Sequence, residues 1–238
     1  MANPGLQSHP LASHQNFAII VAGGSGSRMA SSVPKQFLLL AGRPVMMHTI
    51  EAFYHANSSP QIIAVIPNAY HSYWEALCVA HDFIIPHLLV SGGTTRFESV
   101  KNGLDVIEGS EYDLVAVHDA VRPLTKIGII DTSFTDAATH GNAVAAVKSR
   151  DTIRQVRGNV SAHMVRDEIY LVQTPQTFQL VQLKIAYQQP YSETFTDDAS
   201  VVESAGFPIR LIEGSHDNIK ITFPEDLKIA ELLLSSLT

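Results

Sequence analysis

Glycines at positions 23, 24 and 26, then Arg28, then Lys35 after Pro34, have the types and spacing to hold a polyanion. Glycines let a backbone adopt φ > 0 and approach a ligand closely, so successive N–H groups can point at phosphate oxygens. Arg28 and Lys35 set two cations beside them. The run ahead of the glycines, Phe17-Ala18-Ile19-Ile20-Val21, is apolar without a break. It predicts a buried parallel strand ending in a loop, which is where open α/β sheets bind ligands. Two other Gly-rich loops are excluded. A G-x-x-x-x-G-K-[ST] loop needs a Lys-Ser or Lys-Thr that does not follow here, and a dinucleotide fingerprint needs Gly where Met29 stands.

Further groups recur along the chain. Val-His-Asp-Ala-Val-Arg-Pro, 117–123, follows the apolar run Leu114–Val117. At a strand end, Asp119 can bind a divalent metal or a sugar hydroxyl, and Arg122 can meet a phosphate with its bidentate fork. The plainer reading is a helix-capping Asp119 paired with Arg122 on the surface. Thr152 and Arg166 stand at the two ends of an alternating segment and, by themselves, are ordinary. Lys220 interrupts the apolar stretch Ile219–Ile221, read as a strand, a placement that an anion explains better than an edge residue reaching for water. There is no G-x-S-x-G elbow and no H-E-x-x-H, and the eleven histidines lack ligand spacing, so hydrolase and zinc readings are poor.

Strands and helices alternate in a way that positions these groups. Helices are predicted from Pro44 to about His55, over Ala69–Ala80 with Tyr73, Ala76, Leu77 and Ala80 on one face, and from Thr95 with Phe97, Val100, Leu104 and Ile107 on one face. Between them lie apolar strands at Gln61–Ile66, Leu88–Val90, Leu114–Val117 and Ala143–Val147, the last after a helix of about twelve residues by our reading. From about 148 to 165 the pattern turns to alternation about Arg157-Gly158-Asn159, predicting a β-arm that projects from a parallel core. Helices at about 180–188 and 197–205, a strand at 208–212 and a helix from Pro224 complete an α/β protein.

With 238 residues, 45% hydrophobic and 16% charged, the chain reads as one domain over 17–238 behind a flexible tail, 1–16. A net charge of −7 argues against general nucleic-acid binding. The single cysteine, Cys78, reads as a small buried hydrophobe in a reducing, cytoplasmic protein. Neither a secretory signal nor a membrane-spanning run is found, so no membrane is implied as a partner.

The loop with Pro-Lys-Gln resembles the signature of sugar-nucleotide-type nucleotidyltransferases. In order along the chain, AGGSGSRM, PKQF, SGGTTRFESVKNGL, VHDAVRP, KSRDT, VRD, QTPQTF, TDDASVVE and EGSHDNIKIT resemble the 2-C-methyl-D-erythritol 4-phosphate cytidylyltransferase family from about Phe17 to Leu234. The resemblance implies a Rossmann-like nucleotidyltransferase sheet, mostly parallel, with helices on both faces and a projecting β-arm. It implies that Ala22, Gly23, Gly24 and Gly26 wrap CTP, that Gly92, Gly93 and Ser99 help read cytosine, and that Arg28 and Lys35 stabilise the transition state. Asp119, Arg122, Thr152, Arg166 and Lys220 would surround methylerythritol phosphate, with Arg166 and Lys220 positioning it as the nucleophile. Magnesium would be held by the triphosphate, with Asp119 as a candidate ligand. The arm would exchange within a homodimer, so that Thr152 and Arg166 serve the neighbour's site.

Two departures stand out. The usual Ala-Ala-Gly is Ala-Gly-Gly here, and one residue is missing between His163 and Arg166. The related ribitol-5-phosphate cytidylyltransferases share the AGG loop, PKQF, HDAVRP and QTPQ, whereas TDDASVVE and DNIKIT favour the methylerythritol enzymes. A non-catalytic nucleotide-binding module on the same scaffold would have no reason to keep both Arg28 and Lys35.

Overall fold

The computed structural model describes residues 14–23 and 33–235. Among the described residues, seven strands form one sheet in the order β11-β7-β10-β6-β1-β4-β5. These strands are β1 (Asn16–Val21), β4 (Gln61–Ile66), β5 (Leu88–Ser91), β6 (Leu114–Asp119), β7 (Asn142–Lys148), β10 (Tyr170–Gln179) and β11 (Leu211–Glu213). Six run parallel and β10 runs antiparallel between β6 and β7. The mostly parallel α/β architecture expected from the sequence is therefore present. The long apolar runs also gain a physical reason, because both faces of each central strand are covered.

In β1 alternate residues serve opposite faces. Ala18 and Ile20 pack with Met46, Met47, Ile50 and Phe53 of α1 (Val45–Tyr54), Trp74 of α2 (His71–Ala80), and Ile130 and Phe134 of α4 (Ile127–His140). Phe17, Ile19 and Val21 pack with Phe97, Val100 and Leu104 of α3 (Arg96–Asp105), Leu183 of α5 (Leu180–Ala186), and Val201 and Val202 of α6 (Asp198–Ser204). A side chain at Gly103 would meet Ile19 at 2.9 Å and Val65 at 3.1 Å, so α3 lies against the sheet only because that position has none. A third cluster joins α7 (Pro224–Ser235) to Leu40, Val121, Leu124 and Ile221.

Several expectations shift. Asn16 already belongs to β1, and the Gln15 N–H donates to Asp113 at 2.8 Å; residues 1–13 lie outside those described. Pro44 caps α1 rather than opening it, because it pairs with Leu39 across the turn between β2 (Leu39–Leu40) and β3 (Arg43–Pro44). In α2 the buried residue is Trp74, whose indole N–H donates to His87 at 2.9 Å, while Tyr73 is exposed. Cys78 packs partly buried against the core, and burial, with Glu75 nearby, pushes its thiol up to about 11, away from nucleophilic reactivity at neutral pH.

The arm is a hairpin of β8 (Arg154–Arg157) and β9 (Val160–His163), turning at Gly158 with φ 58° and exposed at every residue of both strands. Two features differ more. The chain leaving the arm forms the ten-residue strand β10, over a stretch for which the sequence reading predicts no strand. Residues 218–222, read as a strand, form none and are held by side-chain hydrogen bonds instead. No helix among the described residues is long and apolar enough to cross a membrane.

Candidate functional site

The carboxyl ends of β1, β4, β5 and β6 meet along one edge of the sheet. Backbone bonds knit that edge together: Ala22 N–H donates to Val65 O at 2.8 Å, Gly92 N–H to Ile66 O at 2.9 Å, and Ala120 N–H to Val21 O at 3.0 Å. Gly23, Gly92, Gly93 and Ser99 converge there. A side chain at Gly23 or Gly92 would stand 3.2 Å from Ser99 Oγ, and one at Gly93 would run into the Glu98 side chain. Glu98 is committed to the start of α3, where Thr95 and Glu98 form a reciprocal capping box. Ser99 is fully buried, and its hydroxyl donates to Thr95 O at 2.9 Å while accepting from Gly93 N–H at 3.1 Å. It therefore shapes this edge through the backbone of Gly93.

Lys35 enters from the single helical turn Lys35–Phe37 and donates to Ile221 O at 3.0 Å. It thus links the Lys35–Phe37 turn to the segment carrying Lys220. Gly24, Gly26 and Arg28 lie outside the described residues.

At the end of β6, Asp119 meets three cations. Arg96 Nε lies 3.6 Å from Oδ1, while Arg122 Nε at 3.5 Å and Lys220 Nζ at 2.9 Å face Oδ2. Burial resists ionisation of Asp119, yet Arg96, Lys220 and Arg122 hold its carboxyl well below the usual carboxylate range. These four side chains, with Val172, Gln173, Thr174, Gln176, Thr196 and Asp197, line a cleft of about 240 Å³. Asp119 is therefore a cleft residue and not the surface helix cap of the plainer reading. It does not fit a protein ligand for a metal, since both its oxygens are engaged by cations. No group of three His, Cys, Asp or Glu among the described residues could hold one.

Thr152 and Arg166 are exposed at the two ends of the arm and do not line this cleft. Residues that the sequence reading passed over fill their place. Arg96 directs its two terminal nitrogens to Asp198 at 2.9 and 2.6 Å, and Thr174 Oγ1 accepts from Asp119 N–H at 3.1 Å. The signal for Arg96 was present: an Arg directly after a helix N-cap, three residues past a Gly pair, sits at the strand-end edge.

A glycine-lined edge and a cation-lined cleft stand side by side at the carboxyl ends of parallel strands, where open α/β sheets bind ligands and where a nucleotidyltransferase needs them. The chain belongs to the 2-C-methyl-D-erythritol 4-phosphate cytidylyltransferase family, whose model (IspD) matches residues 17–236. It is 46% identical over 217 residues to the enzyme so named from Bacteroides fragilis, covering 91% of this chain and 98% of that one. To the Porphyromonas gingivalis enzyme of the same name it is 46% identical over 223 residues, covering 93% and 99%. The fold is similar to that of 4-diphosphocytidyl-2C-methyl-D-erythritol synthase from Anaerococcus prevotii, with TM-score 0.80, 27% identity, and 93% and 96% of the two chains covered. For the Francisella tularensis cytidylyltransferase the TM-score is 0.76 at 32% identity, with 92% and 99% covered.

Proposed function

We propose that the protein transfers the cytidylyl group of CTP to 2-C-methyl-D-erythritol 4-phosphate, giving 4-diphosphocytidyl-2-C-methyl-D-erythritol and pyrophosphate on the route to isoprenoids. The observation that carries this reading is the convergence of Arg96, Arg122 and Lys220 on Asp119 beside the Gly23, Gly92 and Gly93 edge. An acceptor phosphate is ionised at neutral pH and needs no strong base. An acceptor oxygen forms the bond to the α-phosphorus, and the bond from that phosphorus to the pyrophosphate breaks. The barrier lies in bringing anion onto anion in line with the leaving group.

In this mechanism Ala22, Gly23, Gly24 and Gly26 hold the triphosphate, and Lys35 and Arg28 neutralise charge as it develops. Lys220 and Arg122 take the acceptor phosphate, and Asp119 takes its hydroxyls. Magnesium held by the triphosphate would supply further charge neutralisation.

The active species is proposed to be a cytoplasmic homodimer. Exposed Val156, Val160 and Val165 on the arm, with Tyr170, Leu171 and Val172 at its root, are apolar surface suited to a second copy. Exchange of arms would carry Thr152 and Arg166 to a neighbour's cleft. The half-buried single thiol suits a reducing compartment.

The test is pyrophosphate release from CTP and Mg²⁺ with methylerythritol 4-phosphate or ribitol 5-phosphate as acceptor. Turnover with the first alone supports the reading. Turnover with ribitol phosphate reassigns the acceptor, and silence with both leaves a binding module.

A further inference from the structure

We infer that Asp198 and Tyr187, which lie behind the cleft and not in its lining, position Arg96 edge-on to Asp119, and that this buried pair sets acceptor recognition through Arg96 without itself touching the acceptor. The inference rests on the reading that the Asp119 cleft holds the acceptor.

The three cations around Asp119 are not equivalent. The Lys220 side chain is 44% exposed, so an incoming phosphate can draw it off the carboxylate. Arg122 has one terminal nitrogen bonded to Asn218 O at 2.7 Å and offers Asp119 only a long contact at 3.5 Å. Arg96 is fixed from behind. Both arms of its fork are taken by the two oxygens of Asp198, a bidentate arrangement that dictates orientation as well as attraction. Only its Nε edge is left for Asp119.

Asp198 is itself held. Its side chain is wholly buried, and the Tyr187 hydroxyl donates to Oδ1 at 2.6 Å. The first turn of α6, which carries it, is tied to the sheet by Gln176: Oε1 accepts from Ala199 N–H at 2.8 Å and Nε2 donates to Asp197 at 2.8 Å. Tyr187 is stacked on Phe97, with centroids 4.6 Å apart, and so has little freedom to leave. Without the Asp198 charge, Arg96 would be free to turn its fork onto Asp119. The carboxylate would then be occupied by a bidentate partner and Lys220 pushed away.

The experiment is steady-state pyrophosphate release by the full-length protein, varying methylerythritol 4-phosphate at saturating CTP and CTP at saturating acceptor. Wild type would be compared with Asp198→Asn, Arg96→Lys and Tyr187→Phe. Asp198→Asn and Arg96→Lys should raise the acceptor KM about tenfold or more, as expected for loss of a charged hydrogen bond, with the CTP KM within about twofold of wild type. Tyr187→Phe keeps the stacked ring and loses only the hydroxyl. It should raise the acceptor KM about threefold, and it serves if the charge variants do not fold. A lowered unfolding temperature with both KM values unchanged, or an equal rise in both, overturns the inference. Wild type that turns over no acceptor overturns the acceptor reading and this inference together. Wild-type turnover with an unmoved acceptor KM in Tyr187→Phe overturns this inference alone.

Discussion

Arg122 donates a 2.7 Å hydrogen bond to the backbone carbonyl of Asn218, and this joins the end of β6 to a segment that has no strand of its own. Asn218 is fully buried; its amide donates to Thr174 O at 2.8 Å and its Oδ1 accepts from Thr125 at 2.8 Å. Lys220 stands two residues further on. Asn218→Ala therefore leaves the Thr174 carbonyl without its amide donor and removes one of the partners of the Thr125 hydroxyl, which keeps Arg122 O at 3.1 Å, at a cost of about 1–3 kcal/mol. It should also loosen Lys220 and raise the acceptor KM. Urea unfolding with acceptor titration checks this; unchanged stability would remove Asn218 as the anchor.

Lys35 and Lys220 should separate kinetically. Lys35→Ala is expected to lower kcat about 100- to 1000-fold, as for loss of one donor aimed at transition-state charge. Lys220→Ala should act chiefly on the acceptor KM, because its ammonium lies 2.9 Å from Asp119 in the cleft proposed to hold the acceptor. Single-turnover measurements at saturating substrates distinguish the two, and a Lys35→Ala enzyme with wild-type kcat would refute the assignment.

Gly93→Ala places a methyl group against Glu98, the residue that completes the α3 capping box. Loss of the box should destabilise the protein by about 1 kcal/mol. Displacement of the Gly93 backbone should weaken CTP binding, as calorimetry can measure. CTP affinity equal to wild type would detach Gly93 from the nucleotide.

Acid should destabilise the fold before carboxylates titrate. Burial, helped by Arg122 and opposed by Asp119, pushes the His118 imidazole from 6.5 down to about 3. Between those values the unfolded chain binds a proton that the native state refuses. Stability is thus full above about pH 6.5 and falls with decreasing pH, by at most about 1.4 kcal/mol per unit. Asp119, lowered in the native state, adds its own loss only below the ordinary carboxylate range. His118→Leu should flatten the slope of unfolding midpoint against pH between 4 and 6.5, leaving the smaller contribution of His48, also lowered by burial. Identical slopes would contradict the assignment.

If the arm serves a neighbour, two inactive variants should complement. Mixing Lys35→Ala with Arg166→Ala chains under conditions that exchange subunits should restore acceptor-dependent turnover. In a mixed dimer one site then receives an intact Lys35 and an intact arm. No recovery despite proven subunit exchange would place Arg166 in its own chain's cleft.

The strands and main helices were legible because β1, β4, β6 and β7 are covered on both faces and so read as unbroken apolar runs. β10 was not, since Gln173, Thr174 and Gln176 spend their polar groups on Ser215, Asp119, Asp197 and Ala199 inside the protein, which sequence cannot distinguish from a loop. The apolar Ile219 and Ile221 suggested a strand because they pack on α7, a tertiary reason that imitates a local one. Asp119, Arg122 and Lys220 could be picked out as charges at odds with their surroundings. Arg96 was marked only by its place after a helix N-cap beside a Gly pair, and Asp198 by nothing local; their meeting across 102 residues gives both a role.

The contacts that complete the site also set when it can exist. Lys35 reaches Ile221 across 186 residues, and Arg122 reaches Asn218 across 96. A chain leaving the ribosome presents β1, β4, β5 and β6 early, and domains settle as their parts emerge. Lys220, and the α7 helix that covers Ile221, come later than all of these. A nascent chain interrupted before Asn218 thus carries the strand-end edge without the Ile221 carbonyl that Lys35 meets or the ammonium that meets Asp119, so the cleft closes only after Lys220 has been made.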